Sequence, residues 1–131
     1  MNPHKSRLSG FIIDCQTADL ESAAEFWSAA LGLPLNPASM KPEDAAYRSL
    51  DTGSDGLDIQ VQLVEHPSRV HLDIETDDVA AEVERLVKLG AKKLRMVRSW
   101  CVLEAPTGQR FCVVRQQQRR TDFAAQAHAW K

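Results

Sequence analysis

Residues 12–20 read Ile-Ile-Asp-Cys-Gln-Thr-Ala-Asp-Leu, and residues 71–79 read His-Leu-Asp-Ile-Glu-Thr-Asp-Asp-Val. Asp14 matches Asp73, Gln16 matches Glu75, Thr17 matches Thr76, Asp19 matches Asp78 and Leu20 matches Val79, always at an offset of 59 residues. Each copy is a short alternating strand, an acidic residue able to cap a helix, an amphipathic stretch and a Leu-Gly stop, Leu31-Gly32 and Leu89-Gly90. Agreement in register followed by a repeated helix stop is the mark of an internal duplication.

The helices follow from spacing. Leu20, Ala23, Ala24, Trp27 and Leu31 fall on one helical face, which places Trp27 in the core. Val79, Val83, Leu86 and Val87 form the second stripe, with Glu84 and Lys88 four apart on the outer side. Asp19 and Asp78 are positioned to cap the two starts, and Gly32 and Gly90 to end them. Strands are predicted at 10–16, 47–50, 57–64, 69–75, 94–98, 100–103 and 110–115, with a weaker signal at 33–36. Each half is then strand, helix and about three strands. The class is α+β, built from two βαβββ modules in tandem at about 8–66 and 68–116, with a tail at 117–131. Neither half can bury its sheet face alone, so the copies must pack sheet to sheet or curl into one open barrel.

Alternation along each strand sorts its side chains. Phe11, Ile13 and Cys15 oppose Ile12, Asp14 and Gln16; Val70, Leu72 and Ile74 oppose His71, Asp73 and Glu75; Ile59, Val61 and Leu63 oppose Gln60 and Gln62. The apolar sets are expected under the helices. The polar set is either a solvated face or, if the halves curl, the lining of a pocket.

With 131 residues the chain makes one ordinary domain, and its formal charge of -2 excludes a nucleic-acid surface. No apolar run is long enough for a membrane span, and the opening Met1-Asn2-Pro3-His4-Lys5 lacks the apolar core of a signal peptide. Cys15, Cys101 and Cys112 cannot all pair, which suits reduced thiols in a cytoplasmic protein. Phe123, Ala127 and Trp130 recur at helical spacing in the tail and are expected to dock on the domain or on a second subunit.

Three stretches in order resemble the vicinal oxygen chelate superfamily, the glyoxalase, bleomycin-resistance and extradiol-dioxygenase group, and most closely its small glyoxalase-like domain proteins. They are Ile13-Asp14-Cys15 through Asp19-Leu20 to Phe26-Trp27 and Leu31-Gly32; Arg69-Val70-His71-Leu72-Asp73-Ile74 with Asp77-Asp78; and Ala105-Pro106-Thr107-Gly108-Gln109-Arg110-Phe111-Cys112-Val113-Val114. The resemblance implies an open β cup with helices outside, a ligand within, and a homodimer. It also implies up to four metal ligands, at Ile12, at Gln62 or Gln60, at His71 and at Cys112. Ile12 has no donor atom, Gln is a weak ligand and Cys112 replaces a carboxylate, so no metal or other cofactor is expected.

The site residues expected on these grounds are His71, Asp14 and Asp73 as the catalytic group, His71 as acid or base because imidazole titrates near neutrality. Gln60, Gln62, Trp100 and Cys112 are expected to contact a small-molecule ligand, and the several carboxylates suggest a cationic or amine-bearing one. Sequestration of that ligand without turnover, a metal-independent lyase or isomerase, and a divalent-metal lyase or dioxygenase remain open.

Overall fold

The computed structural model describes residues 2–37, 45–53, 56–116 and 123–131. It resolves into two units, 10–71 and 1–9 with 72–131, here the first and second units. The strands β1 (His4–Gln16) and β4 (Arg69–Thr76) each contribute residues to both.

In the first unit, β1 leads into α1 (Leu20–Leu31), followed by β2 (Tyr47–Leu50) and β3 (Asp58–Val64). β3 runs parallel to β1 from Gly10 opposite Asp58 to Gln16 opposite Val64, and antiparallel to β2. The weak strand signal at 33–36 is a single bridge, Leu35 to Leu50. Gly10 is required where it stands: a Cβ there would lie 1.8 Å from the Asp58 carbonyl oxygen. Asp19 accepts from the Ser22 amide at 3.2 Å, and Gly32 closes the helix at φ 69°, a left-handed turn that glycine makes without strain. Leu20, Ala24, Leu50 and Val61 are buried. Two expectations fail here. Leu31, on the last turn, is exposed, and Trp27 is half-buried against an exposed Phe26 rather than enclosed.

The second unit repeats the arrangement. β4 leads into α2 (Val79–Lys88), then β5 (Lys92–Val97), β6 (Trp100–Glu104) and β7 (Arg110–Arg115). β7 runs parallel to β4, as β3 does to β1, and the order is β1-β4-β7-β6-β5. Both units are thus strand–helix–strands with the last strand returning parallel to the first; among the described residues two strands follow the helix in the first unit and three in the second. The class is α+β with an open sheet.

Val83, Ala91, Cys101, Leu103 and Val113 form the second unit's core, with Ile74, Val79, Leu86 and Phe111 packed on it. Leu103 is wholly buried. Leu103→Ala is expected to lower the unfolding free energy by about 2–5 kcal/mol, measured by urea denaturation. Val87, Leu72 and, in the first unit, Val70 are exposed, contrary to the stripe and alternation readings. Alternation fixes the side of the sheet on which a side chain stands, and a helix covers only part of that side.

The first residues of β1 were not anticipated as strand, because His4-Lys5-Ser6-Arg7 shows no apolar alternation. They are buried by polar pairing instead. His4 Nε2 lies 2.7 Å from Glu82, which also receives two bonds of 2.8 Å from Arg85; Arg7 faces Glu75 at 3.2 Å. The tail completes this layer. Only α3 (Phe123–Gln126) is helical, and β8 (His128–Trp130) pairs antiparallel with His4–Ser6. Trp130 donates to Ser6 at 2.8 Å and lies under the Arg85 guanidinium, and Arg7 donates to Gln126. The expected helix through Trp130 is corrected to one turn and a strand, docked on its own unit.

Burial opposes charge on His4, but the Asn2 carbonyl, the Glu82 carboxylate and the charge of Asp77 outweigh it and raise its pKa above 6.5. Burial opposes charge on Glu82 as well, yet Arg85, His4 and Ser6 lower its pKa below 4.5. His4 therefore adds stability that is complete below pH 6.5 and fades as pH rises through its raised value. Glu82 adds stability present above 4.5 and lost as pH falls through its lowered value. The urea midpoint is expected to be highest between these limits, and His4→Gln is expected to flatten the decline on the alkaline side.

Candidate functional site

The side of the first unit's sheet away from α1 carries Tyr47 and Ser49 on β2, Gln62 and Gln60 on β3, and Asp14 and Ile12 on β1, each set in register with the next. His71, at the start of β4, completes it. The Asp14 carboxylate is 2% exposed, and its Oδ2 lies 2.8 Å from His71 Nδ1. With the carboxylate ionised, Nδ1 donates and proton exchange falls to Nε2. Such a carboxylate fixes both the tautomer and the tilt of the ring. The second carboxylate oxygen, Oδ1, is buried with no hydrogen-bond partner among the described residues.

Two further basic groups surround Asp14. Arg69 Nε is 3.8 Å and His66 Nε2 3.9 Å from Oδ2. His66 Nδ1 lies 2.8 Å from the Pro67 carbonyl oxygen, and His66 Nε2 lies 3.3 Å from a terminal nitrogen of Arg69. The turn carrying His66 is pinned to the end of β1: the Gln16 amide donates to Ser68 at 2.9 Å, and the Gln16 side chain donates to the Glu65 carbonyl at 2.8 Å. Nearby, Gln62 donates to the Tyr47 hydroxyl at 2.9 Å.

His71, Asp14, Gln60 and Gln62 therefore lie in the first unit, and His71 and Asp14 are in direct contact. Asp73, Cys112 and Trp100 lie in the second. There Asp73 is the register partner of Cys112, and Ser9 donates to the Asp73 carbonyl at 3.1 Å. Trp100 is half-buried beside the β5–β6 turn, opposite Val97. Glu75, counted in the polar set, is wholly buried against Arg7. All three cysteines are free thiols; burial pushes those of Cys15 and Cys101 up and keeps them protonated. His66, Arg69 and Tyr47 were not anticipated. The only trace of His66 in the sequence is the turn His66-Pro67-Ser68, while Arg69 shares the alternation of His71 two residues on.

The glyoxalase-like domain model matches residues 10–114. The chain belongs to the glyoxalase-like domain family. Solved structures carry the same fold at low identity. A hypothetical protein from Bacillus halodurans C-125 is 12% identical with a TM-score of 0.63, covering 86% of this chain and 96% of that one. Methylmalonyl-CoA epimerase from Mycobacterium tuberculosis is 17% identical with a TM-score of 0.58, covering 86% and 91%. A glyoxalase/bleomycin resistance protein/dioxygenase superfamily member from Vibrio splendidus 12B01 is 16% identical with a TM-score of 0.53, covering 85% and 99%. Among curated proteins none matches.

One of the metal-ligand positions that the resemblance implies offers no donor here. Ile12, at the first ligand position, has no donor atom and is 3% exposed. No helix among the described residues is long and apolar enough to cross a membrane.

Proposed function

We propose that this glyoxalase-like protein binds a small organic molecule and moves a proton on it without a metal, as a lyase or isomerase, with His71 as acid–base group. The Asp14–His71 contact carries this reading: a buried carboxylate that orients an imidazole is the arrangement general acid–base chemistry needs. His71 Nε2 takes a proton from carbon next to a carbonyl, and the electron pair moves onto the carbonyl oxygen. Asp14 stays ionised beside the imidazolium. Gln60, Gln62 and Tyr47 offer neutral donors for the charged oxygen. Returning the proton to carbon completes an isomerisation; loss of a β-substituent completes an elimination. The protein is assigned to the cytoplasm as a homodimer.

The test is solvent-deuterium incorporation, followed by NMR, into a panel of acyl thioesters and 2-oxo acids that begins with methylmalonyl-CoA. Exchange that is lost in His71→Asn supports the reading. Saturable binding with no exchange across the panel favours sequestration, for which the neutral row Tyr47, Gln62, Gln60 is suited. A divalent-metal reading has other donors to draw on: Asp73 stands on the His71 side of β4 and pairs in register with Cys112. Stoichiometric metal in protein purified without chelator would favour it.

A further inference from the structure

Asp14 is not an open carboxylate. It is buried, and three basic side chains, His71, His66 and Arg69, converge on one of its oxygens. The charge at the exposed end of this cluster is therefore that of Arg69, which is 41% exposed. One terminal nitrogen of its guanidinium lies 3.3 Å from His66 Nε2, and Nε lies 3.8 Å from Asp14 Oδ2, an ion pair beyond hydrogen-bond length. The remaining N–H donors have no partner among the described residues. Because Arg69 and His71 are two residues apart on β4, they stand on the same side of the strand, with Asp14 between them as common anchor. A guanidinium fixed in this way presents a planar fork that matches a carboxylate, which an ammonium group in its place would not do.

We infer that the ligand carries a carboxylate bound by Arg69, placing the adjacent carbon next to His71. This rests on the proton-transfer reading and names the substrate class of the same site: small carboxylic acids with an acidic C–H close to the carboxylate. His66 is a positioning residue, in contact with Arg69 and so setting the plane of the fork. It touches no ligand in this account.

The experiment uses the intact protein and follows the histidine ring signals by NMR during titration with malonate, with its diamide malonamide and with 1,3-diaminopropane. Malonate is expected to shift the His71 signals saturably, and the other two are not. Arg69→Gln is expected to weaken malonate binding at least 10-fold, and Arg69→Lys to restore it only in part. His66→Gln, which keeps an acceptor, is expected to retain more affinity than His66→Phe. Equal malonate affinity in Arg69→Gln, or preferential binding of the diamine, overturns the inference. His71→Asn separates the two claims. If it binds malonate like the wild type, followed on the His66 ring signals, carboxylate recognition stands whether or not proton exchange is ever seen. If the wild type exchanges protons on a substrate while Arg69→Gln binds malonate unchanged, the proton-transfer reading stands and the carboxylate assignment falls.

Discussion

His71→Asn is expected to lower deuterium exchange by a factor on the order of 10²–10⁴ while leaving the thermal midpoint within a few degrees of the wild type. Asn keeps a short N–H donor for Asp14 but has no titratable nitrogen to replace Nε2. His71→Ala is expected to lose the same activity and stability as well, because it leaves a carboxylate 2% exposed without its closest hydrogen-bond donor. A hydrogen bond to a charged group contributes about 1.5–3 kcal/mol. Asp14→Asn in the His71→Ala background is expected to recover part of that loss, since the buried charge goes with it. Asp14→Asn alone is expected to cost activity rather than stability. An amide can present its own N–H to Nδ1 and hold the ring in the opposite tautomer. Exchange kinetics and urea denaturation on the four variants separate these outcomes. An active His71→Asn would remove His71 from the chemistry.

Glu82→Ala is expected to be the most destabilising single substitution in the second unit, at about 3–5 kcal/mol. Glu82 is wholly buried and accepts from His4 at 2.7 Å and twice from Arg85 at 2.8 Å. Its removal leaves two basic groups buried or half-buried without their anion, and loosens the strand start to which the tail is paired. Glu82→Gln keeps an acceptor but not the charge, and is expected to fall between. Both are read from the urea midpoint at pH 6, where His4 and Glu82 are both charged. A loss under 1 kcal/mol for Glu82→Ala would show that Arg85 and Trp130 hold this layer without the carboxylate.

Most of the strands and both long helices were legible because they obey two periods. The strands expected at 47–50, 57–64, 69–75 and 110–115 are found at 47–50, 58–64, 69–76 and 110–115. The caps at Asp19 and Asp78 sit where the acidic residue before each stripe placed them. The early half of β1 was illegible for the same reason that makes it unusual: its burial is bought with ion pairs, and hydrophobic patterning is blind to these. His4 finds Glu82 across 78 residues of sequence and Arg7 finds Glu75 across 68, separations that no local pattern encodes.

The candidate site was half legible. Alternation put Asp14 and His71 on like faces of their strands, and the resemblance singled out His71. The contact between them needs the fold. The charge of the site was misread for the same reason. Counting carboxylates pointed to a cationic ligand; Asp14 itself is 2% exposed, with His71, His66 and Arg69 within 4 Å of one oxygen. His66 escaped notice because a histidine in a His-Pro-Ser turn looks like loop, and Gln16's two bonds bring that turn back to β1.

The central claim is that Asp14 holds His71 by Nδ1, and the ring nitrogens can be observed directly. Long-range ¹⁵N–¹H correlation spectra of the wild type are expected to show the neutral His71 ring protonated on Nδ1 and unprotonated on Nε2. This is the minor tautomer of free histidine, and Asp14→Asn is expected to shift it. A His71 protonated on Nε2 and indifferent to Asp14→Asn would contradict the account.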